Sequence, residues 1–323
     1  MSKLSGKYPG ESFLDLEIKG SDPLIEEVLF ERDNSILLGR EKAGKSIMAL
    51  QMMCHLTSGE PFLGRYRIPK QINVAYVQGE GKLANTQANL KNMTRSIHMD
   101  KTRFCLFYYP SLALDTDEGL MELRLQIESW KKPDLIILDP LYMLMQGDLL
   151  SSTDAKRFVA NLRELSEHFQ STNLLVHHGH RPKRNQDGSI LNEGDDSIFG
   201  SFVWKAYPDH ILNLERVTGN KFQRRLSCDT QRMGNLIDSI DIVFIEPTPL
   251  YFELKGDLRP SDTVVHAHLD ALHPKTIMEI SLQANVHQQT VWSCIKRLEV
   301  TDPPKVVCSN PHENPRKYKK YSA

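Results

Sequence analysis

The chain has 323 residues, of which 40% are hydrophobic and 25% are charged, and its formal net charge is −1. This is the composition of a folded globular protein that is long enough for one large domain and one small domain. A net charge so close to zero excludes binding to nucleic acid or membranes through overall charge, so any basic surface must be local.

The cysteine pattern and the lack of long apolar runs indicate the expected compartment. Five cysteines occur, an odd number, and no two of them form a Cys-x-x-Cys pair. This usage is typical of reduced thiols and argues against a disulfide framework or a zinc knuckle. The first residues lack the apolar core of a signal peptide, and no run approaches the roughly 20 apolar residues that span a bilayer. We therefore expect a cytoplasmic protein that does not enter a membrane.

The predicted elements alternate along the first half of the chain. Residues 1–33 are polar with Gly and Pro, apart from an apolar stretch at 24–29 that is expected to be helical. From residue 35 onward, apolar strand-like runs alternate with helix-like stretches. This βαβα order predicts an α/β fold with a parallel central sheet flanked by helices. The predicted strands are 35–38, 72–77, 103–109, 135–139 and 173–176, and the predicted helices are 47–53, 82–97, 118–130 and 155–169.

A long polar segment, residues 181–200, follows the last of these strands. Loops of that length are usually functional or disordered. Further strands are predicted at 210–216, 224–229 and 240–245. Gly and Pro residues between 256 and 260 indicate a boundary, so we expect a first domain over residues 1–260 and a second over residues 261–323.

One motif lies at the turn between the first predicted strand and the first helix. Residues 39–46 fit the pattern Gly-x-x-x-x-Gly-Lys-Ser, which cradles nucleotide phosphates in this strand-to-helix setting, whereas a simple turn needs no Lys-Ser pair. Backbone N–H groups of such a loop face the phosphates, Lys45 reaches the β- and γ-phosphates, and Ser46 binds Mg²⁺. The sequence therefore predicts ATP and Mg²⁺ as cofactors. The expected nucleotide-binding residues are Gly39, Arg40, Glu41, Lys42, Ala43, Gly44, Lys45 and Ser46.

Three further polar side chains follow predicted strands, so we expect them at the same edge of the sheet. Asp139 ends an apolar strand and is the predicted Mg²⁺ ligand, acting through water. Glu80 follows the second strand and is the predicted general base that orients the attacking water. His178, from the histidine-rich run at 177–180, is a candidate sensor of the γ-phosphate. The alternatives are a strand-ending acid, a solvated turn glutamate, and a structural or zinc-binding histidine.

Taken in order, these motifs resemble the RecA/DnaB-like ATPases, and most closely the hexameric replicative-helicase ATPases of the plasmid RepA type. The resemblance covers about residues 20–255 and implies a RecA-like core that hydrolyses ATP. It places His178 where DnaB-type helicases carry a γ-phosphate-sensing glutamine, and it matches Arg232 to an arginine finger that reaches into the neighbouring subunit's site. Thr230 stands where that family carries a lysine, so either Arg232 suffices or a nearby base, Arg224 or Arg225, substitutes.

A finger that acts in trans requires a ring or a filament, so the resemblance implies a homo-oligomer, with a hexameric ring expected. Loops that face the centre of such an assembly would hold nucleic acid. Two candidates, residues 146–153 and 181–200, follow the strands that end near Asp139 and His178. The second loop begins with basic residues that are predicted to contact DNA phosphates, with a merely solvated loop as the alternative. These residues are Arg181, Lys183 and Arg184.

Residues 262–323 have the pattern of a small separate domain. A helix is predicted over 264–272, and Thr276 with Glu279 fits a capping box that starts a second helix. A third helix is predicted over 288–298, and two β-like segments follow it. This order resembles a winged helix-turn-helix, which implies contacts either to DNA or to a protein partner. The predicted DNA contacts are Gln288, Gln289, Lys296 and Arg297.

These expectations combine into one functional hypothesis with two alternatives. The hypothesis is a Mg²⁺-dependent ATPase whose oligomer acts on DNA as a RepA-type replicative helicase and translocates on single-stranded DNA. The alternatives are a RecA-like recombinase filament and an ATP-switched DNA-binding regulator that uses its winged helix on duplex DNA.

Overall fold

The structure is a computed structural model that describes residues 10, 14–15, 20–179, 198–217, 219–231, 239–245, 250–254, 265, 269, 274–284, 288–299, 306–309, 311 and 315–320. At positions 229–231, 284, 289, 290, 293, 297 and 320 it describes the backbone alone.

A sheet of nine strands forms the centre of the described residues. Its strands are β3 (Asn34–Gly39), β4 (Val74–Gln78), β5 (Phe104–Tyr108), β6 (Leu135–Asp139), β7 (Thr172–His178), β8 (His210–Arg216), β9 (Gln223–Gln231), β10 (Ile240–Ile245) and β11 (Tyr251–Leu254). They are ordered β11-β10-β9-β8-β3-β7-β6-β4-β5. The six strands from β8 to β5 are parallel, and β9, β10 and β11 continue the sheet in antiparallel pairing.

Helices cover both faces of this sheet because its parallel strands are apolar on both sides. In β6, Leu135 and Ile137 belong to one core and Ile136 and Leu138 to the other. The first core lies under α1 and α2, and the second under α3 and α4. The α/β prediction with a parallel sheet is therefore confirmed. The helices are α1 (Lys45–Ser58), α2 (Leu83–Met93), α3 (Asp117–Glu128), α4 (Ser152–Phe169) and the short α5 (Val203–Ala206).

Among the described residues, one predicted element is wrong. The predicted helix over 264–272 falls largely outside the described residues. Residues 24–29, expected to be helical, belong to a two-stranded hairpin of β1 (Pro23–Ile25) and β2 (Leu29–Phe30). Glu27 has a positive φ of 64°, which makes the turn between the strands and is incompatible with a helix. The apolar spacing that suggested a helix instead buries Leu24 and Val28 in the core.

The C-terminal residues form a small unit with its own core. It contains β12 (Lys275–Thr276), α6 (Ile277–Ala284), α7 (Gln288–Glu299), β13 (Val306–Cys308) and β14 (Lys317–Lys320), and the sheet order is β12-β14-β13. The predicted capping box is present, because Glu279 N–H donates to Thr276 Oγ1 and Thr276 N–H donates to Glu279 Oε2. Two helices and a small antiparallel sheet agree with the predicted order, while the winged-helix interpretation stays a prediction.

The C-terminal unit contacts the central sheet through α7. This helix lies against β10, and its Trp292 side chain packs on the first core of the sheet. Within the described residues, no helix is long and apolar enough to cross a membrane. The boundary near residue 260 falls outside the described residues and stays a prediction.

Candidate nucleotide site

The candidate site is assembled at the carboxyl ends of four neighbouring parallel strands. Gly39 at the end of β3 is in register with His178 of β7, and Asp139 of β6 is in register with Gln78 of β4. Because parallel strands end at one edge, the loop after β3, the turn after β4 and the ends of β6 and β7 converge there. The topology therefore brings together the residues that the sequence analysis selected from four separate segments.

The loop from residue 39 to residue 46 needs its two glycines for different reasons. Gly44 has a φ of 103°, and a Cβ atom there would lie 2.7 Å from the Phe252 ring. A Cβ atom on Gly39 would lie 2.5 Å from the carbonyl oxygen of Leu214. No side chain caps α1, which begins directly after Gly44. The first N–H groups of that helix are left for a ligand, and the dipole at a helix N-terminus favours an anion.

Lys45 lies folded into the loop that precedes it. Its Nζ donates to the carbonyl oxygens of Gly39 (2.8 Å) and Arg40 (3.1 Å) and lies 3.2 Å from Nδ1 of His178. Burial lowers the pKa of Lys45 to about 8, against the opposing effect of nearby carboxylates, chiefly that of Asp139. The cation therefore sits inside the curve of the loop, where phosphate oxygens would replace its carbonyl partners.

The lowered pKa of Lys45 predicts pH-dependent nucleotide binding. Above about pH 8 the free protein loses this charge, while bound phosphate favours the protonated form. We expect nucleotide affinity to weaken as the pH rises through that value, by at most about tenfold per pH unit, with proton uptake on binding. Titration calorimetry in buffers of different ionisation enthalpy measures both quantities. A flat affinity between mildly and strongly alkaline pH, without proton uptake, would contradict this assignment.

Ser46 and Asp139 form the predicted metal pair. Ser46 Oγ donates to Asp139 Oδ1 at 3.2 Å, and the Tyr76 hydroxyl donates to Asp139 Oδ2. Burial raises the pKa of Asp139, and both hydrogen bonds act in the opposite direction. A hydroxyl and a carboxylate in contact beside a phosphate loop are the hard oxygen donors that Mg²⁺ prefers. The residues present therefore fit the predicted ion.

The two histidines that end β7 have different partners. His178 faces Lys45, and its pKa is lowered by burial and by the Lys45 charge. His177 is fully buried, and its Nε2 lies 2.7 Å from the carbonyl oxygen of Phe199. Within the described parts of the chain, no three His, Cys, Asp or Glu side chains are grouped to hold a metal ion. The sensor role of His178 stays a prediction.

Glu80 lies on a turn built by its neighbours. Gln78 Nε2 donates to the carbonyl oxygen of Glu80 at 2.7 Å, and Gly79 N–H donates to the carbonyl oxygen of Asp139 at 2.9 Å. The exposed carboxylate accepts a hydrogen bond from the hydroxyl of Tyr142. The sequence analysis did not select Tyr142, and its position three residues after Asp139 was the available signal.

Two arginines from distant strands hold the backbone of the phosphate loop. The buried Arg224 of β9 donates through Nε to the carbonyl oxygen of Ala43 at 2.8 Å. Arg216, at the end of β8, donates through Nε to the carbonyl oxygen of Lys42 at 3.1 Å. Arg224 therefore serves the loop of its own chain, which argues against its use as a substitute finger. Arg225 instead forms a surface ion pair with Asp241.

The contact of Arg224 with the phosphate loop predicts that substituting Arg224 affects stability and nucleotide binding far more than substituting its neighbour Arg225. Arg224→Met should lower the free energy of unfolding by about 2 kcal/mol, because charge-assisted hydrogen bonds to buried carbonyls are lost. It should also weaken nucleotide binding. Arg225→Met is the matched control and should change little, since exposed ion pairs contribute little. Thermal unfolding and nucleotide titration of both variants test this. Equal effects of the two substitutions would contradict the role of Arg224.

The remaining predicted contacts lie on α7 or outside the described residues. Four of them fall outside: Arg181, Lys183, Arg184 and Arg232. In α7, Gln288 is exposed and Lys296 pairs with Glu299 at 2.7 Å. The side chains of Gln289 and Arg297 are not described. All of these assignments stay predictions.

The first predicted DNA loop is held by carboxylates. Asp115 accepts hydrogen bonds from the N–H groups of Gln146 and Gly147, and Asp154 accepts one from the N–H group of Asp148. Leu150 is 60% exposed, and Asp148 is exposed as well. Loop 146–153 therefore presents apolar and acidic groups rather than a basic surface.

Residues 11–184 match a family described as an AAA domain (AAA_25). The chain belongs to this family. The matched part of this AAA domain contains the phosphate loop, Glu80, Asp139 and His178. No curated protein matches the chain.

Two solved structures are similar to this chain. One of them, described as an ATPase domain, superposes with a TM-score of 0.51 at 12% identity, covering 66% of this chain and 82% of its own. The crystal structure of the RadB recombinase has a TM-score of 0.47 at 17% identity, covering 71% of this chain and 92% of its own. The first of these structures shares the α/β fold with a mostly parallel central sheet that the sequence predicted.

Proposed function

We propose that this protein is a Mg²⁺-dependent ATPase that acts on DNA as a homo-oligomer, most specifically a RepA-type helicase that translocates on single-stranded DNA. The observation that carries the ATPase proposal is the convergence of Lys45, Ser46, Asp139, Glu80 and His178 at one edge of the sheet. The family match to an AAA domain supports the same activity.

Each residue has a distinct role in the proposed hydrolysis. The N–H groups of the loop and Lys45 bind the phosphates, and Ser46 and Asp139 would hold Mg²⁺. That ion would neutralise charge on the β- and γ-phosphates. Glu80 orients the attacking water and accepts its proton, so that the bond between the γ-phosphorus and the bridging oxygen breaks as the new P–O bond forms. His178, beside Lys45, detects whether the γ-phosphate is present.

The proposal of DNA and of an oligomer rests on the resemblance and on two sequence features. The basic residues Arg181, Lys183 and Arg184 provide the predicted phosphate contacts. Arg232 is the proposed finger for a neighbouring copy's nucleotide, which makes a ring or filament the active unit. The exposed Phe202, just after the second loop, adds an aromatic surface on which a base can stack.

A second candidate function is supported by the contact between α7 and the central sheet. Trp292 packs on the sheet core, α7 lies against β10, and β10 pairs with β9, whose Arg224 holds the phosphate loop. A continuous set of contacts thus joins the C-terminal unit to the nucleotide site. This favours an ATP-switched regulator, in which the C-terminal unit binds DNA or a partner according to nucleotide state, over a recombinase.

Strand separation distinguishes these functions. We expect ATP-dependent release of a labelled strand from a forked duplex with single-stranded tails, and no release with the Lys45→Ala variant. Nucleotide-dependent binding to one duplex sequence without release would favour the regulator. Strand exchange between homologous DNAs would favour the recombinase. No ATP-dependent effect on any of these DNAs would contradict a DNA-acting ATPase.

A further inference from the structure

Tyr142 connects Glu80, the proposed base, with His178, the proposed sensor of the γ-phosphate. Its hydroxyl donates to Oε2 of Glu80. Its ring meets the His178 ring edge-on, with 5.2 Å between the centroids and 60° between the planes. His178 in turn lies 3.2 Å from Lys45 Nζ. One half-buried side chain therefore contacts both the proposed base and the proposed sensor.

The turn that carries Tyr142 is fixed against the turn that carries Glu80. Tyr142 belongs to a short 3-10 helix, Leu141–Leu144, whose two end residues are fully buried. A Cβ atom on Gly79 would lie 3.0 Å from side-chain atoms of both Met143 and Leu144. The N–H group of Leu114 donates to the carbonyl oxygen of Leu144 at 2.8 Å. The distance between Tyr142 and the backbone of Glu80 is therefore set by packing.

Glu80 itself lacks this packing. Its side chain is exposed, so contacts with a surrounding core do not select its rotamer. A carboxylate has two oxygens, and the Tyr142 hydroxyl occupies Oε2. Oε1 is left to accept a hydrogen bond from the attacking water. Burial and the hydrogen bond to Glu80 raise the pKa of Tyr142, so its hydroxyl stays a donor at working pH.

We propose that Tyr142 is the positioning residue for Glu80: its hydroxyl fixes one carboxylate oxygen so that the other faces the attacking water, and its ring contact ties that geometry to His178. This inference rests on the proposed ATPase function. It concerns the step of water activation and not nucleotide binding, because Tyr142 donates to Glu80 rather than to the phosphate loop.

A double-mutant cycle between Tyr142→Phe and Glu80→Gln tests the proposal. Phenylalanine keeps the ring beside His178 and removes only the hydroxyl. We expect kcat to fall by roughly ten- to a hundredfold in Tyr142→Phe, since a misplaced catalytic group costs up to about that factor. Nucleotide affinity and the unfolding temperature should stay those of the wild type. The double variant should be no slower than Glu80→Gln alone, because the hydroxyl acts only through Glu80.

Tyr108→Phe is the matched control. The Tyr108 hydroxyl donates to the carbonyl oxygen of Gly81, in the same turn, at 3.0 Å, but does not bind the carboxylate. We expect its kcat to stay within about twofold of the wild type, because the lost hydrogen bond is an exposed one to a backbone carbonyl and the Glu80 carboxylate keeps its partner.

The outcomes separate this inference from the proposed function. Wild-type kcat in Tyr142→Phe, or additive losses in the double variant, would overturn the role of Tyr142 while leaving the ATPase intact. Absent turnover in the wild type, or full turnover in Glu80→Gln, would instead count against the proposed function itself.

Discussion

Replacing Lys45 by alanine is expected to reduce ATP turnover by roughly a thousandfold, the upper range for removing one charge-stabilising donor from an active site. The ammonium group is the cation placed inside the phosphate loop, within 3.1 Å of two loop carbonyls. The variant should stay folded, because alanine favours the helix that begins at this position. Phosphate release and circular dichroism on the same samples measure the two results.

The control for this prediction is Lys70→Ala, outside the phosphate loop. The Lys70 side chain is 56% exposed and forms a surface ion pair with Glu31. We expect nearly wild-type turnover, because exposed ion pairs contribute little. Unchanged turnover in Lys45→Ala, or an equal loss in Lys70→Ala, would contradict the assigned phosphate site.

Arg232→Ala is expected to abolish turnover while nucleotide binding is retained. An arginine finger contributes about 10³–10⁵ to the rate, because it stabilises charge that develops only in the transition state. Arg232 is proposed to act on the neighbouring copy's nucleotide, so the defect should be complemented. Mixing Arg232→Ala with Glu80→Gln should restore part of the activity, since mixed assemblies contain sites with both residues intact.

Mixing the Arg232→Ala and Glu80→Gln variants can also contradict the proposal of a shared site. Sites formed between an intact Arg232 and an intact Glu80 appear in mixtures only if the two residues come from different copies. No recovery at any mixing ratio would count against a shared site. Mixing Lys45→Ala with Glu80→Gln is the control. Both of these substitutions disable the same copy's site, so no site in the mixture is complete and no recovery is expected.

The residues of the nucleotide site could be predicted from the sequence because they lie in one contiguous motif or directly after strands of a parallel sheet. The motif at 39–46 fixes a strand, a loop and a helix start, and the apolar run at 135–139 coincides with β6. Parallel strands end at one edge, so Asp139, Glu80 and His178 were expected to meet there. The contacts of Lys45 with His178 and of Ser46 with Asp139 agree with this.

The supporting contacts could not be predicted, because they join segments that are far apart and carry no motif. Arg224 is 181 positions from Ala43 along the chain, and Tyr142 is 62 positions from Glu80. An arginine on a strand or a tyrosine after one has many possible partners, and only the sheet order selects among them. The hairpin at residues 23–30 was missed for a related reason, since apolar spacing alone does not reveal the turn at Glu27.

The most direct test of the central claim is phosphate release by the full chain with Mg²⁺ and ATP, with and without single-stranded DNA, at two salt concentrations. Particle mass should be followed on the same samples. We predict that an oligomer hydrolyses ATP and that single-stranded DNA stimulates this hydrolysis strongly at low salt and less at high salt. The stimulation should weaken because contacts with DNA phosphates release counterions, which makes DNA binding less favourable as the salt concentration rises. Turnover that is the same with and without DNA at both salt concentrations would contradict an ATPase that acts on DNA.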